Sequence, residues 1–206
     1  MPIDRTNPVV SRPELTWIPR TLLEAATLTP VVAGETVFRR GDRPTAMMCV
    51  VQGEIRLVRR SLDGTEIVLQ RSRGGFIAEA SMGSKAYHCD GVTAVAGQLL
   101  RIPMRAFRDA LDHDPDFRNA WIAHLAREVR SLRAQCERLG LHGAAQRILH
   151  YIESEGCKGV LALSQSRKAW AAELGLSHEA LYRTLRSLQA EGVVSVTGTT
   201  ISLRHP

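Results

Sequence analysis

Residues 163–196, LSQSRKAWAAELGLSHEALYRTLRSLQAEGVVSV, decide the fold of the C-terminal third. Ser166 is placed to cap a first helix, because its hydroxyl can accept an orphan amide proton. Ala169 to Leu174 supply that helix with a packed face, and Gly175 permits the left-handed turn that must follow. Ser177 caps a second helix, with Glu179 in its first turn where the helix dipole favours an acid. On this second helix Leu181, Leu185 and Leu188 recur at spacings of 4 and 3 and face inward. His178, Glu179, Tyr182, Arg183 and Arg186 occupy the opposite face. The next segment, VVSVTGTTISL (193–203), turns at Thr197-Gly198 and reads as a wing of two strands.

A helix, a glycine turn, a capped second helix and a wing form a DNA-reading pattern. Arginine can pair with guanine O6 and N7, glutamate can accept from cytosine N4, and the remaining basic groups can meet phosphates. The expected DNA-contacting set is Ser166, Arg167, Ser177, His178, Glu179, Tyr182, Arg183 and Arg186. The plain alternative is a helical hairpin with a solvated face.

Upstream, Pro115 opens a long helix to about Leu139. Its apolar residues Ile122, Leu125, Val129, Leu132, Cys136 and Leu139 are spaced 3, 4, 3, 4, 3. That is a 3.5-residue repeat, the seam of a two-helix coiled coil, and it predicts a homodimer. A helix packed on its own domain would show a wider stripe. Gly140 to Gly143 break the helix, and AAQRILHYIESEG (144–156) resumes one. The domain boundary is expected near residues 139–143.

Residues 31–103 have a different texture, with short strand-like runs between turn residues: ETVF, MMCVVQG, EIRLVRR, EIVLQR, GGFIA, VTAVA and QLLRI. Evenly spaced short strands predict a compact roll. Asp63-Gly64 is the clearest hairpin turn. TLLEAATL (21–28) reads as a short helix stopped by Pro30, and MRAFRDALDHD (104–114) as another. The expected architecture is α+β: an arm (1–20), an antiparallel β-roll of the double-stranded jelly-roll type (21–114), a dimerisation helix (115–139) and a winged helix-turn-helix (140–206).

The 206 residues are 44% apolar and 23% charged, a globular composition. The net charge of +6 suits an acidic partner, yet residues 1–139 carry 20 basic and 16 acidic side chains and residues 140–206 carry 7 and 5. Charge alone therefore does not define a DNA-binding protein. No apolar run approaches a membrane span, and the first seventeen residues show no signal-peptide core, so a cytoplasmic protein without a membrane partner is expected. Cys49, Cys89, Cys136 and Cys157 have no CxxC or finger spacing and read as free thiols.

From residue 21 to 204 the chain resembles the CRP/FNR transcription factors. AGETVFRRGD (33–42), VVQGEIRLVRRSLDGTEIVLQ (50–70) and GGFIAEAS (74–81) resemble successive parts of the family's cyclic-nucleotide-binding roll. GLSHEALYRTLRSL (175–188) resembles its recognition helix. The resemblance implies a dimer on the two half-sites of a palindromic operator, with the helix-turn-helix moved by the state of the roll, and RNA polymerase as a partner if the protein activates. It places Glu179 and Arg183 where the family's Glu and second Arg read bases, while His178 replaces the first Arg and alters the usual guanine contact.

In nucleotide-binding relatives a Gly-Glu-Leu segment is followed ten residues later by Arg-Ser or Arg-Thr. Here the cassette is AEASMGSKAYHCDGV (78–92): Glu79 matches, but Cys89 and Asp90 stand where the phosphate-binding pair is expected. A phosphate facing Asp90 would meet repulsion and no paired cation, so cyclic AMP is not expected. Leu69, Glu79, Cys89 and Asp90 are the expected effector-pocket residues, and the cofactor is left open. No cysteine precedes Cys49, which argues against the family's N-terminal iron–sulfur cluster. Cys49, His88 and Cys89, with Met47, Met48 and Met82 nearby in sequence, are candidate soft-metal or redox groups; core filling is the plain alternative.

No P-loop, Ser-His-Asp order, HExxH or dinucleotide fingerprint is present, so an enzyme is not expected. The leading expectation is a dimeric, sequence-specific regulator answering to an effector other than cyclic AMP. The alternatives are a constitutive architectural dimer whose pocket is filled by its own side chains, and a cyclic-nucleotide-responsive regulator.

Overall fold

The structure, a computed structural model, describes residues 15–61, 66–163 and 165–204. The side chain of Leu139 also lies outside the description, as does the Asp63-Gly64 turn. The compact units run to Ile122 and from Ala123 onward.

The first unit is built on an antiparallel sheet of β1 (Thr27–Val31), β2 (Thr36–Phe38), β3 (Ala46–Arg60), β4 (Glu66–Ser72), β5 (Gly75–Ile77) and β6 (Asp90–Pro103). Its main order is β1-β6-β3-β4, with β2 pairing β6 and β5 pairing β3. A short helix, α1 (Arg20–Ala25), precedes the sheet, and α2 (Met104–His113) follows it.

The runs read separately as MMCVVQG and EIRLVRR are one strand, β3, and VTAVA and QLLRI are likewise one strand, β6. The ladder between them shifts register from Val50 to Ile55. Gly53 sits there at φ +90°, and a Cβ on Gly97 would lie 1.9 Å from the Gln52 carbonyl oxygen. These glycines allow two backbones to approach at a bulge; they do not end strands.

Leu28 belongs to β1 and not to the preceding helix, and Pro30 lies within the strand. That is tolerated because β1 stands at the edge of the sheet formed by the described residues, beside β6, so the proline's missing N–H takes nothing from a second described neighbour. The segment read as an arm is packed from Leu15 onward: Leu15 and Ile18 are buried, and the Trp17 ring lies 5.8 Å from that of Phe117.

The long helix α3 (Pro115–Gly140) crosses from the first unit into the second. Its first turns pack into the first unit, with Trp121 edge-on to Phe76 and Phe107. The second unit continues with α4 (Ala144–Glu155), β7 (Val160–Ala162), α5 (Arg167–Glu173), α6 (His178–Ala190), β8 (Val194–Thr197) and β9 (Thr200–Leu203). β9 lies between β7 and β8, so the predicted two-stranded wing belongs to a three-stranded sheet. Its core gathers Ile148, Ile152, Trp170, Leu181, Leu185, Val194 and Ile201.

Candidate DNA-binding interface

Each local signal in the helix-turn-helix has its partner. Ser166 Oγ accepts from the Ala169 N–H at 3.3 Å, and Ser177 Oγ accepts from the Ala180 N–H at 3.1 Å. Gly175 holds φ +65°, the left-handed geometry that lets the chain leave α5 and start α6. Leu181, Leu185 and Leu188 are buried, which turns His178, Glu179, Tyr182, Arg183 and Arg186 outward together.

The outward face is not uniformly free. The His178 and Tyr182 rings meet edge to face with centroids 4.6 Å apart. The Arg167 guanidinium lies 5.4 Å from the Tyr182 ring centroid and donates from Nη2 to the Gly198 carbonyl at 2.9 Å. Arg167 therefore joins the recognition helix to the wing turn. Arg183 and Arg186 are exposed and bond to no described residue. With Glu179, Tyr182, Ser187 and Ala190 they line a shallow depression along α6. This face offers guanidinium forks, a carboxylate and an aromatic ring, chemistry of the kind that can read base edges.

On α3 the described residues of the apolar stripe are largely exposed. Ile122, Val129 and Leu132 are 57%, 46% and 48% exposed, Leu125 is half-buried and Cys136 is exposed. A helix with this much exposed apolar surface has the character of an interface.

The expected effector-pocket residues stand in different settings. Cys89 is fully buried in the roll core among Phe38, Leu57, Ile77, Tyr87 and Leu99. Phe38 and Tyr87 stack with centroids 4.1 Å apart. Leu69 is 40% exposed on β4, away from that core, because the β3–β4 ladder shifts register between Leu57 and Val58, leaving Leu69 outside the pairing. Glu79 is half-buried in a 3-10 turn (Glu79–Ser81), preceded by Ala78 at φ +61°. Asp90 accepts from the Arg40 N–H at 2.7 Å. Arg71 and Arg73, cations that could otherwise meet a phosphate, both pair with buried Glu54, at 3.0 and 2.7 Å.

The metal candidates do not converge. His88 is exposed with Nδ1 3.0 Å from Ser81 Oγ, whereas adjacent Cys89 points inward. Cys49 pairs across the sheet with Leu100, far along the ladder from Asp90, whose partner is Val58. Among the described residues no group of three or more His, Cys, Asp or Glu could hold a metal ion. Burial, with Asp90 beside it, pushes the Cys89 thiol above its ordinary pKa, while Arg59 partly opposes the shift. This disfavours the thiolate that redox or metal chemistry needs.

Sequence reading missed a second constellation in this unit. Arg138, only 4% exposed, donates from Nη1 to Ser154 Oγ at 2.9 Å and to Glu155 Oε1 at 3.3 Å, and its guanidinium lies 4.7 Å from the Tyr151 ring centroid. Tyr151 donates from its hydroxyl to Glu173 Oε1 at 3.2 Å. Burial and Glu173 hold the Tyr151 phenol far above its ordinary pKa, so it remains a donor. No local motif signals these pairs.

The first unit is a roll, and the second carries a helix-turn-helix followed by strands of a three-stranded sheet. Residues 28–114 match the cyclic nucleotide-binding domain family. The nitrogen fixation regulation protein FixK of Bradyrhizobium diazoefficiens is 26% identical over 184 residues, covering 84% of this chain and 76% of its own. The cyclic AMP receptor protein of Thermus thermophilus is 28% identical over 175 residues, covering 84% and 81%. The structure of FixK2 from Bradyrhizobium japonicum shares the fold, with a TM-score of 0.62, 20% identity and coverage of 87% and 93%. Over most of its length the chain is thus similar to these two regulators, and residues 28–114 form a domain of the cyclic nucleotide-binding type. No helix among the described residues is long and apolar enough to cross a membrane.

Proposed function

We propose that this protein is a homodimeric transcription regulator that binds a palindromic operator and whose roll answers to an effector other than cyclic AMP. The observation that carries the operator reading is the outward face of α6, where Arg183 and Arg186 stand exposed beside Glu179 over a leucine-packed base. The exposed stripe on α3 supports pairing of two copies, which would present two recognition helices to successive major-groove half-sites. RNA polymerase is the further partner if the protein activates. Selection of bound sequences from a random DNA pool, with sedimentation of the free protein and its complex, tests this. A two-fold symmetric site bound by two chains is expected, with log affinity falling steeply against log salt. A monomer on an asymmetric site, or binding indifferent to sequence, overturns it.

The cassette supports exclusion of a cyclic phosphate. Cys89 and Asp90 supply no cation, Asp90 is engaged by the Arg40 N–H, and Arg71 and Arg73 are engaged by Glu54. The Phe38–Tyr87 stack beside Cys89 favours a second reading, a constitutive DNA-binding dimer whose roll is filled by its own side chains. Footprinting with and without cell extract separates the two, since only a sensor responds to an added metabolite.

A further inference from the structure

We propose that Arg138 is a positioning residue that sets which half-site spacing the protein accepts. This rests on the dimer-on-palindrome reading above. The link between α3 and α4, Gly140-Leu141-His142-Gly143, has the composition of a free hinge. The contacts across it have the opposite character. Arg138 of α3 reaches Ser154 and Glu155 near the end of α4 and stacks on Tyr151, which bonds to Glu173 of α5.

A second strap lies beside the first. Arg147 of α4 donates from Nε to the Leu141 carbonyl in the link at 2.8 Å, and from Nη1 to the Leu174 carbonyl at the end of α5 at 3.2 Å. A buried guanidinium is costly unless its bonds are kept, so these contacts hold at one interhelical geometry and penalise others. In this conformation the end of α3 and the DNA-reading helices are held as one body. When two α3 helices pair, the separation of the recognition helices is fixed by that body. Inserting one base pair at the operator centre moves the half-sites apart by about 3.4 Å and rotates them by about 35°. A clamped dimer cannot follow, whereas a hinged one can.

The test uses the full chain, the selected palindrome, and the same palindrome with one central base pair inserted. The readout is the ratio of the two affinities, together with base preference inside the half-site. Arg138→Met, which keeps the stem and loses the fork, is expected to shrink the wild-type ratio by about tenfold, the equivalent of one charge-assisted hydrogen bond. Arg138→Lys is expected to restore it in part, and Tyr151→Phe, which loses only the bond to Glu173, to shrink it less. Base preference should stay unchanged in all three. Full spacing discrimination in folded Arg138→Met and Tyr151→Phe overturns the inference; if Arg138→Met does not fold, Tyr151→Phe decides. A wild type that selects no two-fold site instead refutes the dimer reading, and this inference falls with it.

Discussion

Replacing Arg183 with alanine separates base reading from folding with little ambiguity. Arg183 is exposed on α6 and bonds to no described residue, so truncation leaves no buried group unpaired. The effect on stability should stay within about 0.5 kcal/mol, as for surface sites generally. The effect on DNA binding is of another size. A bidentate arginine–guanine contact contributes about 1–3 kcal/mol per half-site. A dimer makes it twice, so about 2–6 kcal/mol is lost, which is about 30-fold at the low end and about 10⁴-fold at the high end. Fluorescence anisotropy at fixed salt, on the selected operator and on single-base variants, measures both the loss and its pattern. Discrimination should disappear at one position in each half-site. Arg186→Ala serves as the contrast, weakening all sequences alike and lowering the salt slope, as a phosphate contact does. Unchanged affinity and preference in the Arg183 variant, or a base-specific loss in the Arg186 variant alone, would refute the assignment.

Cys136 lies in the exposed stripe of α3, so mild oxidation should cross-link two copies through it if the Cα atoms meet within disulfide range. On non-reducing gels Cys136→Ser should abolish the dimer band and Cys157→Ser should not; a monomer band with Cys136 shown to be oxidised refutes the register. Cys89, Tyr87 and Tyr151 all hold their protons more tightly when folded, chiefly because of burial. The folded state therefore binds more protons than the unfolded one at alkaline pH. Stability from these groups is complete below the ordinary values of 9.0 and 10.0 and falls as pH rises through and beyond them. Urea midpoints should drop between pH 8 and pH 11, with a smaller drop in Cys89→Ala, and an equal drop counts against the burial assigned to Cys89. A ligand at about 100 times its Kd stabilises by about 2.7 kcal/mol. Cyclic AMP is expected to leave both the melting temperature and operator affinity unmoved, and a rise of several degrees would restore the nucleotide reading.

What the sequence determined by itself was written in short-range terms. The serine caps, the left-handed Gly175 and the 4-and-3 leucine spacing of α6 involve residues within one or two turns of each other, and the structure places each as read; the stripe of α3 is equally short-range, with Ile122, Val129 and Leu132 exposed. Local hydrogen bonding and helical periodicity are enough to specify them. The tertiary structure decided whatever needs a partner from elsewhere in the chain. Gly53 and Gly97 resemble turn residues until β3 and β6 lie side by side and their backbones nearly touch. Cys89 looks like a pocket residue until Phe38, from β2, stacks with Tyr87 in the same buried cluster. Arg138 lies beside the apolar stripe of α3, where water is the default for a charge, until α4 folds back and buries it against Tyr151 and against Ser154, sixteen residues further on. A charge in sequence is equally consistent with water and with a buried partner; only packing chooses between them, because burial and pairing must arrive together.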